Sequence, residues 1–236
     1  MAAVAYDNAS STAPAVVGTG TNRTFTFSHT TSAGADRYIV VGLGCSAVAG
    51  TDANYSFGGV TYGGVSLGQI GSTVHANASN GGFVQLWGLV APSTGANDVV
   101  VTYTNSTNSG VDVLMAGAIT ATNVSQSSPL GTPASATGAS TAATVNVSSA
   151  TDELVLDIVG TGTLVSTVGA NQTQRWLQNV NSNSQCGNGA MSTEAGAASV
   201  TMSWTVTSDS WAILGVPLKP AGASSVKQLL TMGVGD

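Results

Sequence analysis

The sequence predicts an all-β protein: an antiparallel jelly-roll-like β-sandwich built from two related halves, with a short C-terminal helix or arm. Three observations predict it. β-Branched residues recur with period-2 alternation while helical periodicity is nearly absent. Gly-Gly, Ser-Gly, Pro-Ser-Thr-Gly and Ser-Asp-Ser steps interrupt the apolar runs, supplying the positive φ angles and side-chain turn bonds that hairpins require. The chain also repeats itself at long range.

Strands are expected at residues 23–28, 37–46, 59–62, 65–70, 83–90, 98–104, 111–122, 143–148, 153–160, 174–180, 197–207 and 210–219. The first alternates Phe25 and Phe27 with polar neighbours, as a half-buried strand does. Residues 38–43 and 154–159 are near-continuous apolar runs and read as buried on both faces. A glycine pair at 63–64 makes a hairpin of the strands on either side. Many short strands with close turn signals mean a sandwich or barrel.

The stretch "TFTFSHTTSAGADRYIVVGLG" (24–44) has a counterpart in "ATVNVSSATDELVLDIVGTG" (143–162), and residues 95–120 align with 196–219 in the same order. The halves are therefore about 24–122 and 143–219. Two arrangements fit: tandem Ig-like sandwiches, or one larger jelly roll in which each half supplies strands to both sheets. The doubly buried runs favour the single sandwich. It takes residues 1–222, with the Ser/Thr/Ala/Pro-rich segment 125–142 as a linker or long surface crossing. In the tail, 223–236, Val226, Leu229, Leu230 and Gly233 share a helical spacing, and Ser224 or Ser225 can cap a helix start. Val226, Leu229, Leu230 and Met232 are candidate docking residues for a partner.

Composition narrows function. Charged residues are 7% of the 236 and the net charge is −6, so no basic stripe is available for nucleic acid. No run of about 18 apolar residues occurs, and a membrane span is not expected. The opening MAAVAYDNASS lacks the charged and apolar regions of a secretory signal, so folding in the cytoplasm is the expectation. Cys45 and Cys186 allow one bridge at most, and without Cys-x-x-Cys or neighbouring histidines a zinc site is not indicated.

Candidate chemistry is thin. His29 follows Phe25 and Phe27 and reads as a packed or half-exposed strand-end histidine, while His75 lies in a polar loop. A hydrolase would need one of them beside a carboxylate, and no Gly-x-Ser-x-Gly elbow marks a nucleophile. Asp152 and Glu153 are adjacent, hence on opposite faces of any strand, and read as a solvated turn. Asp157 interrupts "LVLDIVG" and needs a partner: Arg37, Arg175, a backbone amide or a bound cation such as calcium. The glycines of "GLGCSAVAG" have no following Lys or helix and mark bulges, turns or close sheet packing rather than a phosphate loop. Trp87, Trp204 and Trp211 sit inside apolar strands as core residues. Trp176, in "NQTQRWLQNV" with Gln172, Arg175, Gln174 and Gln178, is a candidate lining of a polar ligand groove. Asn-x-Ser/Thr triplets at Asn22, Asn77, Asn105 and Asn171 follow from composition.

The segments "VTYGGVSL" (60–67), "LWGLVAPSTGANDVVVTYT" (86–104), "GAITATNVSQSSPLGT" (117–132) and "SDSWAILGVPLKPAG" (208–222) resemble a family of Gly/Ala/Ser/Thr/Val-rich β-sandwich proteins found among tailed-bacteriophage virion proteins and some bacterial surface proteins. That resemblance implies a non-enzymatic part of a virion exterior, assembled in the host cytoplasm: a capsid decoration protein or a head, neck or tail fibre. It implies other virion proteins as partners, a homo-oligomer and no cofactor. A module that binds host surface glycans is the alternative.

Overall fold

The structure is a computed structural model that describes residues 2–12, 15–16, 20–46, 55–76, 82–105, 113–179 and 188–222. Among these residues all regular structure is β. The first half comprises β1 (Ala5–Ser11), β2 (Ala15–Val16), β3 (Gly20–Thr31), β4 (Tyr38–Ser46), β5 (Tyr55–Tyr62), β6 (Val65–Ser66), β7 (Gly68–His75), β8 (Phe83–Val90), β9 (Gly95–Asn105) and β10 (Val113–Thr122). The second comprises β11 (Ala134–Ser148), β12 (Leu154–Thr161), β13 (Val165–Val168), β14 (Thr173–Gln178), β15 (Asn188–Ala195) and β16 (Ser199–Leu218).

One sheet of the first half runs β1-β10-β4-β8-β7, and the second half has β11-β16-β12-β15-β14. The two orders correspond strand for strand, every pairing antiparallel. The opposing sheet of the first half runs β3-β9-β5-β6. In the second half its counterpart is made by the far ends of the same long strands: residues 142–148 of β11 pair with 199–205 of β16, and β13 pairs beside them. Thus β11 does the work of β1 and β3 in turn, and β16 that of β9 and β10. The register skip between Ser140 and Ala142 marks the corner where the pair passes from one layer to the other.

The β-sandwich expectation holds, but among the described residues the halves exchange no strands. Each closes its own pair of sheets, and the double burial that suggested one shared jelly roll has another cause. The two sandwiches stack face to face, so three cores lie in series. On β4, Ile39, Val41 and Leu43 pack with Phe27, Val60, Val99 and Val101 inside the first sandwich. Tyr38 and Val40, on the other face, meet Leu154, Leu156 and Ile158 of β12. The remaining face of β12 carries Val155 and Val159 into a core with Val145, Met202 and Trp204. Fully burying each such aliphatic side chain is worth about 1.5–3 kcal/mol, so one strand serves two cores.

At the stacking interface β4 crosses β12, β1 lies on β14 at one side, and β11 lies against β7 at the other. That is the pattern of a pseudo-twofold axis within one chain. Glycine lets the sheets approach, as the sequence suggested. A Cβ at Gly117 would fall into the Trp176 ring, and one at Gly42 would strike Met191.

Strands β1, β2, β13 and β15 and residues 134–142 of β11 exceed the sequence expectation, which placed a surface crossing at 125–142, and β16 runs unbroken through the turn expected at Ser208–Ser210. The Ala, Ser and Thr of residues 9–12 and 134–142 offer little contrast between faces, and β13, with four residues, is too short to show a period. Trp204 and Trp211 are core residues, as expected, whereas Trp87 is half-buried at the edge of its core, its Nε1 donating to Gln85 Oε1 at 2.9 Å. The tail, with Val226, Leu229, Leu230 and Met232, lies outside the described residues.

Candidate functional site

The densest cluster of reactive groups in the first sandwich forms where β1 meets β3 and β10. The register of β1 on β10 skips Asp7, pairing Tyr6 with Ala121 and Asn8 with Thr120. That bulge re-aims Asp7. Its Oδ2 accepts from the Ser32 amide at 3.0 Å and from Thr120 Oγ1 at 2.8 Å. His29 on β3 is only 1% exposed. Its Nδ1 lies 2.7 Å from Ser10 Oγ, and its Nε2 lies 3.3 Å from Thr120 Oγ1.

These contacts fix the protons. Burial works to raise the Asp7 carboxyl, but hydrogen bonds from Ser32 and Thr120 and the nearby His29 outweigh it and hold the group below its ordinary value. A carboxylate can only accept, so Thr120 donates to it and must itself accept from His29 Nε2–H. Nδ1 is left as the acceptor of the Ser10 hydroxyl. Burial pushes the His29 imidazole down to about 4 despite the pull of Asp7, so it is neutral at physiological pH.

The result is a directed chain, Ser10 to His29 to Thr120 to Asp7, which holds a hydroxyl against a ring nitrogen as nucleophilic catalysis requires. Acyl transfer also needs oxyanion donors and a cleft for substrate. Three clefts among the described residues lie at 71–75 with 133–135, at 61–64 with 96–100, and at 170–171 with 194–203, and neither Ser10 nor His29 lines these three. An imidazole titrating near 4 is also a poor base at neutral pH. What the chain does in full view is join three strands, helped by Asn8 Nδ2, which donates to the Thr30 carbonyl at 2.9 Å.

The second sandwich carries a different polar centre. Asp157 is fully buried; its Oδ1 accepts from the Ser192 amide at 2.8 Å and hydroxyl at 2.7 Å, and its Oδ2 accepts from Trp204 Nε1 at 2.7 Å. Gln172 extends the network, donating to Ser192 Oγ at 2.7 Å while its Oε1 accepts from the Ser203 amide at 2.7 Å. Burial raises the Asp157 carboxyl to about 7, opposed by those donors. The sequence demanded a partner for this residue, and hydrogen bonds supply it: an amide, a hydroxyl and an indole in place of Arg37 or Arg175. Among the described residues no group of three His, Cys, Asp or Glu side chains is placed to hold a metal ion.

The groove proposed around Trp176 is not an open surface. Trp176 is 5% exposed, packed in the interface core above Gly117, and its Nε1 has no hydrogen-bond partner. Strand β1 covers this region: Arg175 sits 3.6 Å over the Tyr6 ring and donates from Nε to Thr193 Oγ1 at 2.7 Å, and Gln178 donates to Ser11 Oγ at 2.9 Å. Gln174 alone of the four remains exposed. The sequence could not foresee this cover, because β1 was not recognised as a strand. His75 stands on β7, its ring 5.7 Å from that of Phe83. Asp152 and Glu153 form the expected turn, with Asp152 at φ 70° and the Glu153 carboxylate accepting from the Ala150 amide at 2.9 Å. Cys186 lies outside the described residues, as does the side chain of Cys45. No helix among the described residues is long and apolar enough to cross a membrane.

Sequence reasoning missed Ser10, Asp7 and Thr120. Thr120 and Asp7 are 113 positions apart, and no local spacing could have linked them. No protein-family model matches the chain, and neither the curated proteins nor the solved structures give a match.

Proposed function

We propose that the protein is a non-enzymatic structural component of a bacteriophage virion exterior, a capsid decoration protein or a head, neck or tail fibre, that works by attachment. One observation supports this reading most: the polar centre described in each sandwich joins strands. His29 ties β1 to β3 and β10, and Asp157 ties β12 to β15 and β16. Two sandwiches stacked through a shared apolar core make a thick, stiff block. Its short Ser, Thr and Asn side chains lose little rotamer entropy when packed against a neighbour. The virion setting rests on the sequence resemblance, and repeated weak contacts from a symmetric particle suit such a block.

The test is copurification with particles and a copy number per particle. Many copies mean decoration, and a handful mean a neck or tail position. Ester hydrolysis by the purified chain, abolished by Ser10→Ala, would overturn the reading. So would absence of the chain from intact particles.

A further inference from the structure

The outer edges of the two equivalent sheets are finished differently. In the first sandwich β1 is sealed: it bulges at Asp7, and Asp7, Asn8 and Ser10 reach across to the Ser32 amide, the Thr30 carbonyl and the His29 ring. Its counterpart β11 is bare. Residues 134–140 pair with β16 in unbroken register, and the other edge of β11 makes no backbone hydrogen bond among the described residues. Proteins usually guard such an edge with charge, proline or a bulge. Here the 15 residues ASATGASTAATVNVS contain no charge and no proline, and their register shift lies beyond Ser140, outside the stretch 134–140.

We infer that the β11 edge is an interface between copies of this chain, pairing antiparallel with β11 of a second copy about a twofold axis at Thr137. The occupant is argued from the strand itself. Antiparallel pairing about Thr137 sets Ala134 opposite Ser140, Ser135 opposite Ala139 and Ala136 opposite Gly138, so every facing pair is small and uncharged. Ser135, Thr137 and Ala139 are exposed, leaving room for the partner strand. The net charge of −6 opposes close approach of two copies over most of the surface, and this charge-free strand is where they can meet without facing like charges. Pairing would join two five-strand sheets into one. The inference needs no particle and stands apart from the virion reading.

The experiment is sedimentation velocity on the full chain over a wide concentration range, beside Thr137→Lys and Thr137→Val. The expected result is a concentration-dependent dimer, retained in Thr137→Val. Thr137→Lys sets two ammonium groups face to face and weakens the dimer about tenfold or more. An unchanged urea midpoint for the Lys variant shows that the fold survives. A wild type that stays monomeric, or a Lys variant that dimerises equally well, overturns the inference. A chain ending at Gly222 that dimerises when the full chain does not would also overturn it, because the tail would then be what covers the edge.

Discussion

Aligned on Gly44 and Gly160, the two halves place Val41 and Asp157 at the same position of the same central strand, each facing the inside of its own sandwich. In the first sandwich this site is an ordinary apolar contact. In the second it is a carboxylate, and the scaffold had to bring Ser192 and Trp204 to it from 35 and 47 positions away. The first sandwich puts its buried imidazole elsewhere, with His29 at the edge between β1, β3 and β10. One topology therefore accepts a polar centre in mid-sheet or at the rim, provided each donor and acceptor is matched.

The sharpest way to break this comparison is to make the second half resemble the first. Asp157→Val orphans the Ser192 and Trp204 donors and is expected to lose about 4 kcal/mol in urea unfolding. Adding Trp204→Phe removes one orphan and should recover part of that loss. A single Val variant as stable as wild type would show that the network is dispensable. Next in size, Trp176→Ala empties the stacking interface above Gly117 and should lose about 3 kcal/mol. An unchanged midpoint would mean that the halves do not depend on this contact. His29→Leu leaves Ser10 and Thr120 to find other partners and should lose about 2 kcal/mol.

The smallest wild-type effect is one of pH, because the halves oppose each other. The His29 pKa falls on folding from 6.5 to about 4, so its contribution is present above 6.5 and is lost as pH falls towards 4. The Asp157 pKa rises from 3.8 to about 7, so its contribution is present below 3.8 and is lost as pH rises towards 7. Between pH 4 and 6.5 the two slopes oppose, and wild-type stability should be nearly flat. Asp157→Asn should then gain stability with rising pH across that window, and His29→Gln should lose it. Parallel pH profiles for the two variants would contradict the assignment.

Much of this architecture was legible in residue order. The runs 38–43 and 154–159 announced double burial, and their recurrence within longer matching segments announced the duplication. Residues 9–11 and 134–142 stayed illegible because Ala, Ser and Thr are equally at home on either face of a sheet, and the bulge at Asp7 breaks the alternation before them. Trp176 was misplaced for the same reason: its polar neighbours suggested solvent, while the strand that covers it gave no signal. Ser10, Thr120 and Asp7 carried no mark, since their meeting depends on a bulge and on a pairing across most of the first half.

Apolar periodicity and turn chemistry were enough to commit the chain to paired antiparallel strands, duplicated, with an almost uncharged exterior, because burial of alternate side chains is a local rule. Which faces stack, which edge is sealed, and which carboxylate lies beside which donor were left to packing in three dimensions. Those outcomes depend on contacts between distant segments, whose free energy does not exist until the sheets have closed on one another.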